Sequence, residues 1–166
     1  MQIQSLSHRF RVVRLDERDA ADVFALYQTN PQYFETMQEY PSPDSVKADL
    51  TVLPPKKTAD DKFYLGFYEG ESLIAVLDLI LAFPDEQTAF VGLFMVDHSL
   101  QGKGIGSLII AQALDYLKSL GFSSCRLGYV KTNPQSKAFW EKNGFLPTGD
   151  ESRRKHYTIV IMEKGI

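Results

Sequence analysis

The pattern of apolar and polar positions along the chain predicts alternating strands and helices. Runs rich in β-branched and aromatic residues predict strands at residues 10–15, 62–68, 73–83, 88–96, 124–131 and 156–162, with one more beginning at Phe145. Apolar residues at helical spacing predict helices after Asp16, Asn30, Gly106 and Asn133. Ser42 is a further candidate cap, for a short helix that carries Val46 and Leu50.

The order of these elements predicts an α/β fold. The turn at residues 69–72 joins two strands into an antiparallel hairpin. The strand–helix–strand unit of residues 88–131 requires parallel pairing of its two strands. We therefore expect a mixed central sheet of about six to seven strands flanked by helices. No repeat or linker divides the chain, so the prediction is one domain over residues 1–166, with a core of about residues 8–163.

Three glycines at alternate positions stand between the strand at 88–96 and the helix that follows. The hexad Gln101–Gly106 reads Gln-Gly-Lys-Gly-Ile-Gly. Glycine tolerates positive φ and lets backbone approach a ligand closely, and the start of a helix attracts anions. Lys103 adds a positive charge, so the hexad predicts a phosphate site. Ser107 occupies the third glycine position of a dinucleotide fingerprint, which opposes a nucleotide-binding module of Rossmann type.

Two motifs resemble those of a known superfamily. The hexad resembles the pyrophosphate loop Q/R-x-x-G-x-G/A of the GCN5-related N-acetyltransferase (GNAT) superfamily. The segment Asn133-x-x-Ser136-x-x-Phe139-Trp140-x-Lys142-x-Gly144-Phe145 resembles the superfamily's N-x-x-A-x-x-F-Y-x-K-x-G-F signature. The order of the elements also resembles the whole GNAT fold. On these grounds the sequence is identified as a member of the superfamily over nearly its full length.

This resemblance implies acetyl-CoA as the cofactor and a specific set of residues around it. The strand backbone at residues 94–96 is expected to pair with the pantetheine arm, and the hexad with the pyrophosphate. The expected coenzyme A residues are Phe94, Met95, Val96, Gln101, Gly102, Lys103, Gly104, Ile105, Gly106, Ser107, Asn133, Ser136, Phe139 and Trp140. The side chains of Phe94, Met95 and Val96 are expected to pack in the core at the same time.

The catalytic residues are less clearly marked. Many family members have a tyrosine where this chain has Trp140, and an indole cannot protonate a departing thiolate. Tyr129 on the neighbouring strand, or water, is the alternative acid. Asp78 interrupts an apolar strand, where burying a carboxylate is costly, so it is the candidate general base. The alternatives for Asp78 are a solvent-facing position or a backbone donor that satisfies it.

Other residue types of interest have simpler interpretations. Tyr33 and Tyr40 lie in the region that covers the acceptor in this superfamily, so they are candidate substrate-binding residues, although helix packing also explains their spacing. Asp97 is expected to cap a turn, His98 to be an exposed loop histidine, and Cys125 to be a small buried residue. The basic run at residues 153–156 fits a solvated turn better than a phosphate site.

Composition narrows the classes of function. The chain has 166 residues, 44% of them hydrophobic, and a net charge of −3, which disfavours a nucleic-acid partner. No apolar run reaches the length of a membrane span, and no secretory signal or metal-ligand set is expected. One cysteine suits a reducing cytoplasm. A homodimer is the expectation from symmetry alone.

The predicted function is acetyl transfer from acetyl-CoA to a primary amine, by direct attack in a ternary complex. The alternative is an acyl-CoA-binding module with little transferase activity, which the missing tyrosine motivates. A buried Asp78 facing the thioester would favour the enzyme. The acceptor, a small-molecule or peptide amine, is left open.

Overall fold

A computed structural model describes all residues from Met1 to Ile166. The strands are β1 (Arg11–Arg14), β2 (Lys62–Glu69), β3 (Ser72–Ile80), β4 (Thr88–Val96), β5 (Ser124–Val130), β6 (Leu146–Arg153) and β7 (Thr158–Gly165). The helices are α1 (Ala20–Gln28), α2 (Pro31–Met37), α3 (Pro43–Thr51), α4 (Ile105–Ser119) and α5 (Pro134–Lys142). None of these helices combines the length and the apolar character needed to cross a membrane.

All seven strands form one sheet in the order β1-β2-β3-β4-β5-β7-β6. Only β4 and β5 are parallel neighbours, and every other pair is antiparallel. The predicted mixed α/β sheet is therefore confirmed. The Ser42 hydroxyl accepts a hydrogen bond from the Ser45 amide, so the short helix predicted at this cap is present as α3.

The two faces of the sheet are covered by different helices. One face packs against α4 and α5 in the larger hydrophobic cluster, which includes Leu77, Ile109, Leu127 and Phe145. The other face packs against α1, α2 and α3 in a smaller cluster. Alternate residues of β3 and β4 point to opposite faces, so both strands contribute side chains to both layers.

A bulge in β4 opens the centre of the sheet. Asp78 of β3 pairs with Leu93, whereas the next residue, Leu79, pairs with Val91, so Gly92 is the extra residue. The parallel pairing of β4 with β5 ends at Val91 and Leu127, although β4 continues to Val96. A bulge bends its strand and increases the local twist. The two central strands therefore separate after Gly92, which leaves a gap between their carboxyl ends.

Candidate active site

The loop before α4 presents free amide groups at one side of this gap. Gly102 and Gly104 have φ of 73° and 80°, a backbone region that other residues rarely occupy. The first intrahelical hydrogen bond runs from the Leu108 amide to the Gly104 carbonyl at 3.0 Å. The amides of residues 105–107 have no backbone carbonyl as acceptor. Together with the helix dipole, these amides make the loop an anion site.

The backbone of β4 presents further free groups to the gap. The Asp97 amide donates to the Ile74 carbonyl at 2.9 Å, which sets the alternation of the β3–β4 ladder. In an antiparallel ladder successive residues face opposite edges, so the amides of Phe94 and Val96 face away from β3. They point towards the gap, where β5 no longer pairs with β4. The gap is thus lined by donors suited to an extended polar chain.

Three polar side chains fix the loop against β4 and the start of α2. Gln101 Nε2 donates to Asn30 Oδ1 at 2.6 Å and to the Val96 carbonyl at 3.0 Å. Asn30 Nδ2 donates to the same Val96 carbonyl at 3.1 Å. Gln135 donates to Gln101 Oε1 at 2.9 Å. The side chain of Gln101 therefore anchors the loop, and the motif glutamine has a structural partner in Asn30.

The gap opens into a cavity of about 420 Å³. Every residue predicted to contact coenzyme A lines this first cavity except Lys103 and Ile105. Lys103 is exposed at the loop, and the side chain of Ile105 packs in the larger hydrophobic cluster, because the first turn of α4 directs it inwards. Sequence patterns missed the α1–α2 junction, which contributes Thr29, Asn30, Pro31 and Gln32.

Helix α5 forms the opposite wall of the first cavity. Asn133 caps the helix, because its side-chain Oδ1 accepts a hydrogen bond from the Ser136 amide at 3.0 Å, and its side-chain Nδ2 has no partner within the protein. Trp140 is 5% exposed and packs edge-on against Phe139, at 4.9 Å between ring centroids, and against Phe145 at 5.1 Å. Phe94 stacks on Phe139 at 5.8 Å. The indole therefore contributes an apolar wall.

Asp78 is a buried carboxylate beside the bulge. It is 6% exposed, and its Oδ2 accepts from Lys62 Nζ at 2.8 Å, while Oδ1 has no hydrogen-bond partner. A Cβ atom at Gly92 would lie 2.4 Å from Oδ2, so only glycine admits the carboxylate here. Burial raises the pKa of Asp78 to about 6, although Lys62 acts in the opposite direction. Neither a solvent-facing position nor a backbone donor, the two alternatives for Asp78, matches these contacts.

A second cavity, of about 430 Å³, lies on the side of the sheet covered by α1, α2 and α3. Asp78, Gly92 and Leu93 form part of its floor. Tyr33 lines both cavities, so the two adjoin at this side chain. Tyr40, the other candidate substrate-binding residue, lines the second cavity with 74% of its surface exposed.

A hydrogen-bonded chain borders the second cavity. Tyr27 donates to Asp49 Oδ2 at 3.0 Å, and its oxygen lies 2.6 Å from the hydroxyl of Tyr64. Because Tyr27 has a single proton, Tyr64 is the donor in the second bond. Burial raises the pKa values of Tyr27, Tyr64 and Asp49, so both phenols are protonated at neutral pH.

Several other residues lie away from both cavities. Tyr129, the candidate acid, is 6% exposed in the larger hydrophobic cluster and lines neither cavity, because the β5 pleat turns it into the α4 layer. The structure therefore does not bring it to the site. Cys125 is fully buried, as predicted, and burial raises its pKa to about 12. A thiol in that state is a poor nucleophile.

The remaining sequence expectations concern loops. The Asp97 carboxylate accepts a hydrogen bond from the Ser99 amide at 2.9 Å, which confirms its predicted role as a turn cap. His98 is exposed at the rim of the first cavity. The basic run at residues 153–156 is exposed, as predicted, and extends from the last residue of β6 into the turn before β7.

Comparison with known proteins agrees with this arrangement. The sequence profile of the acetyltransferase (GNAT) family matches residues 22–145, which is most of the chain. The chain belongs to this family. The matched region of this GNAT member runs from α1 to the residue before β6 and contains both cavity-forming motifs.

One curated relative shares a shorter region with this GNAT chain. A mycothiol acetyltransferase from Beutenbergia cavernae is 33% identical over 67 residues. The match covers 40% of this chain and 23% of that protein, so the chain spans about a quarter of the relative's length.

Solved structures share the fold at low sequence identity. An acetyltransferase from Thermus thermophilus has a TM-score of 0.73 at 20% identity, covering 95% of this chain and 97% of that one. The ribosomal-protein-S18-alanine N-acetyltransferase of Escherichia coli has a TM-score of 0.69 at 15% identity, with 95% and 94% covered. The PaiA N-acetyltransferase of Thermoplasma acidophilum, in complex with coenzyme A, has a TM-score of 0.67 at 19% identity, with 95% and 99% covered.

Proposed function

We propose that this GNAT member transfers an acetyl group from acetyl-CoA to a primary amine by direct attack in a ternary complex. One observation carries the proposal. Two cavities adjoin at Tyr33, one lined by the free amides of β4 and α4, the other by the buried carboxylate of Asp78. The separate cavities provide one place for each substrate, and a shared boundary is where a group can pass directly between them.

The residues of the first cavity fit coenzyme A. The free amides of Gly106 and Ser107 and the positive-φ turns at Gly102 and Gly104 suit a diphosphate. The gap-facing amides of β4 suit the amide-containing arm of the molecule, and so does the free Asn133 amide nitrogen. When bound, acetyl-CoA supplies the acetyl group as an activated thioester.

The β4 backbone orients the reacting carbonyl in this mechanism. The Phe94 and Val96 amides face the gap, and a carbonyl oxygen that accepts from them gains stabilisation as negative charge develops on it. The Val96 carbonyl is held by Asn30 and Gln101, so the donor beside it is rigidly placed. Rigid donors need no reorganisation during the reaction, which is why they are effective.

Asp78 is the proposed general base. A primary amine with a pKa near 10.4 is only about 10⁻³ deprotonated at pH 7, so removal of its proton has to be assisted. Oδ1 of Asp78 has no protein partner, and the residue lines the cavity proposed for the amine. Its pKa of about 6 leaves it mainly ionised at neutral pH and able to accept a proton.

No protein acid is assigned to the departing sulfur. Trp140 has no dissociable proton of suitable pKa, and Tyr129 lies in the hydrophobic core. An alkyl thiol has a pKa near 8.5, so its thiolate leaves readily at neutral pH without full protonation. Water at the rim of the first cavity is the proposed proton source.

A thiol-release assay with acetyl-CoA over a panel of primary amines tests the function. Turnover with at least one amine is expected, with equal amounts of thiol and acetylated amine formed. The Asp78→Asn variant should retain coenzyme A affinity by calorimetry while its pH–rate profile loses the rising limb near pH 6. Tight acetyl-CoA binding with no turnover on any amine would favour a binding module instead, and an unchanged pH profile would remove Asp78 as the base.

A further inference from the structure

The charges around the second cavity indicate what kind of amine it accepts. Its lining includes the carboxylates of Glu39, Asp49 and Asp78 but no lysine, arginine or histidine. Lys62 lies behind Asp78 and pairs with it. Neither Glu39 nor Asp49 forms an ion pair within the protein. The cavity therefore carries two carboxylates that have no ion-pair partner within the protein.

The position of Asp78 shows that this acidic set is more than a solvated surface cluster. Asp78 is 94% buried by residue surface, lines the cavity, and has an oxygen, Oδ1, without any partner. Buried polar atoms are almost always hydrogen-bonded, because leaving one unpaired costs about 1–3 kcal/mol. The Asp78 carboxylate borders the cavity, and the protein leaves the hydrogen-bonding capacity of its covered Oδ1 unused, so a donor on a ligand that reaches this carboxylate would remove that cost.

The acidic residues come from both layers that enclose the cavity. Asp78 lies on β3, in the sheet that forms the floor next to the bulge. Asp49 lies on α3 and Glu39 follows α2, so both belong to the helical side. Tyr33, Tyr64 and Tyr157 also line the cavity, and aromatic faces attract cations.

We infer that the acceptor is a small amine carrying a second positive charge, with the reacting amine at Asp78 and the second cation at Asp49 and Glu39. This inference rests on the proposed transferase function and specifies its substrate class. An acceptor with a carboxylate near its amine would meet like charges in the second cavity and is disfavoured. The cavity volume, about 430 Å³, lies within the range of small-molecule sites, about 300–1,000 Å³.

Three amines of equal chain length provide the test. 1,4-Diaminobutane, 1-aminobutane and 4-aminobutanoate differ only in a cationic, apolar or anionic far end. In the thiol-release assay with acetyl-CoA, kcat/KM should be at least about tenfold higher for the diamine than for 1-aminobutane, which is about 1.4 kcal/mol. The amino acid should be the poorest acceptor.

Variants that remove one negative charge test whether the preference for the diamine arises in the second cavity. Asp49→Asn and Glu39→Gln should each reduce the ratio of kcat/KM for the diamine to that for 1-aminobutane. Glu39 is exposed, so its variant tests the inference even if Asp49→Asn, which alters the Tyr27 bond, fails to fold. Glu35→Gln is the matched control, since Glu35 is an exposed acid of α2 outside both cavities and its loss should leave the ratio unchanged.

The outcomes separate the substrate class from the transferase function. Acetylation of 1-aminobutane or 4-aminobutanoate as efficiently as the diamine would leave the transferase function standing and overturn the inference. Acetylation only of other amines in the panel would likewise support the transferase function and overturn the inference about the substrate class. No acetylation of any amine would overturn both. An equal loss of ratio in Glu35→Gln would show a general charge effect and remove the assignment of Glu39 and Asp49.

Discussion

At the scale of single residues, the proposed acceptor site borders a buried ion pair, Lys62 with Asp78, in which one carboxylate oxygen has no hydrogen-bond partner. Removing a carboxylate from water raises its pKa, and a cation at 2.8 Å lowers it again. For Asp78 burial has the larger effect, so its pKa rises to about 6. Lys62 thus acts as a positioning residue that keeps the carboxylate largely ionised and holds Oδ2.

Replacing Lys62 with methionine should move the pH dependence of catalysis upwards. Loss of the nearby cation raises the pKa of Asp78, so the rising limb of kcat/KM should move to higher pH by about 1–3 units. The measurement is a pH–rate profile of the thiol-release reaction. Lys118→Met, at an exposed position near the end of α4, should leave the profile in place.

A second variant keeps this prediction testable if Lys62→Met is too unstable. Removing one partner of a buried pair is strongly destabilising, at about 3–5 kcal/mol, unless the remaining carboxyl is protonated. Lys62→Arg retains the positive charge, so the rising limb of its kcat/KM profile should stay close to the original pH. A limb that stays fixed in Lys62→Met would show that Lys62 does not set the ionisation of Asp78.

At the scale of elements, the strand–loop–helix unit of β4 and α4 makes the first cavity. The bulge at Gly92 separates β4 from β5, and the free amides of Gly106 and Ser107 belong to residues that line the resulting gap. Gly104 matters here for two reasons. Its φ of 80° is unfavourable for other residues, and a Cβ atom placed on it would point into open space, where the ligand is proposed to bind.

The Gly104→Val variant should lose coenzyme A affinity by at least about tenfold, because the strained turn and the added side chain displace the amides from the ligand. Isothermal titration with coenzyme A measures the loss. Gly70→Val is the matched control, since Gly70 has φ of 61°, open space at its Cβ position and a place in the β2–β3 turn. Similar destabilisation with unchanged affinity is expected there, and retained affinity in Gly104→Val would refute the loop assignment.

At the scale of the whole molecule, one tyrosine joins the helical layer to the sheet. The Tyr27 hydroxyl on α1 links Asp49 on α3 to Tyr64 on β2. All three residues line the second cavity, so the same hydrogen bonds shape the proposed acceptor site and attach the helices that cover it to the sheet. The fold and the site therefore share part of their stabilising interactions.

Removal of this hydroxyl should be costly. Tyr27→Phe leaves Tyr64 and Asp49 without their shared partner, so we expect a loss of about 1–3 kcal/mol in the free energy of unfolding. Denaturant titration measures the loss. Tyr68→Phe is the control, because the Tyr68 hydroxyl has no hydrogen-bond partner within the protein and its side chain is only half-buried. Equal stability of both variants would contradict the linking role.

The fold class and the first cavity could be predicted from the amino-acid sequence alone. Strand and helix periodicity, turn glycines and caps are local properties, and the predicted sheet and the Ser42 cap follow from them. The two motifs also marked the first cavity, because a loop that holds an anion needs particular residues at fixed spacing.

Contacts between residues that are distant in the sequence became apparent only in the folded chain. No local pattern places Asn30 against Gln101, 71 positions away, or Lys62 against Asp78. Tyr129 was a candidate general acid from its position in the sequence, but the pleat of β5 directs its side chain into the hydrophobic core. Pleat direction, the bulge at Gly92 and the balance of charge in the second cavity arise from packing between separate elements, and local sequence does not specify them.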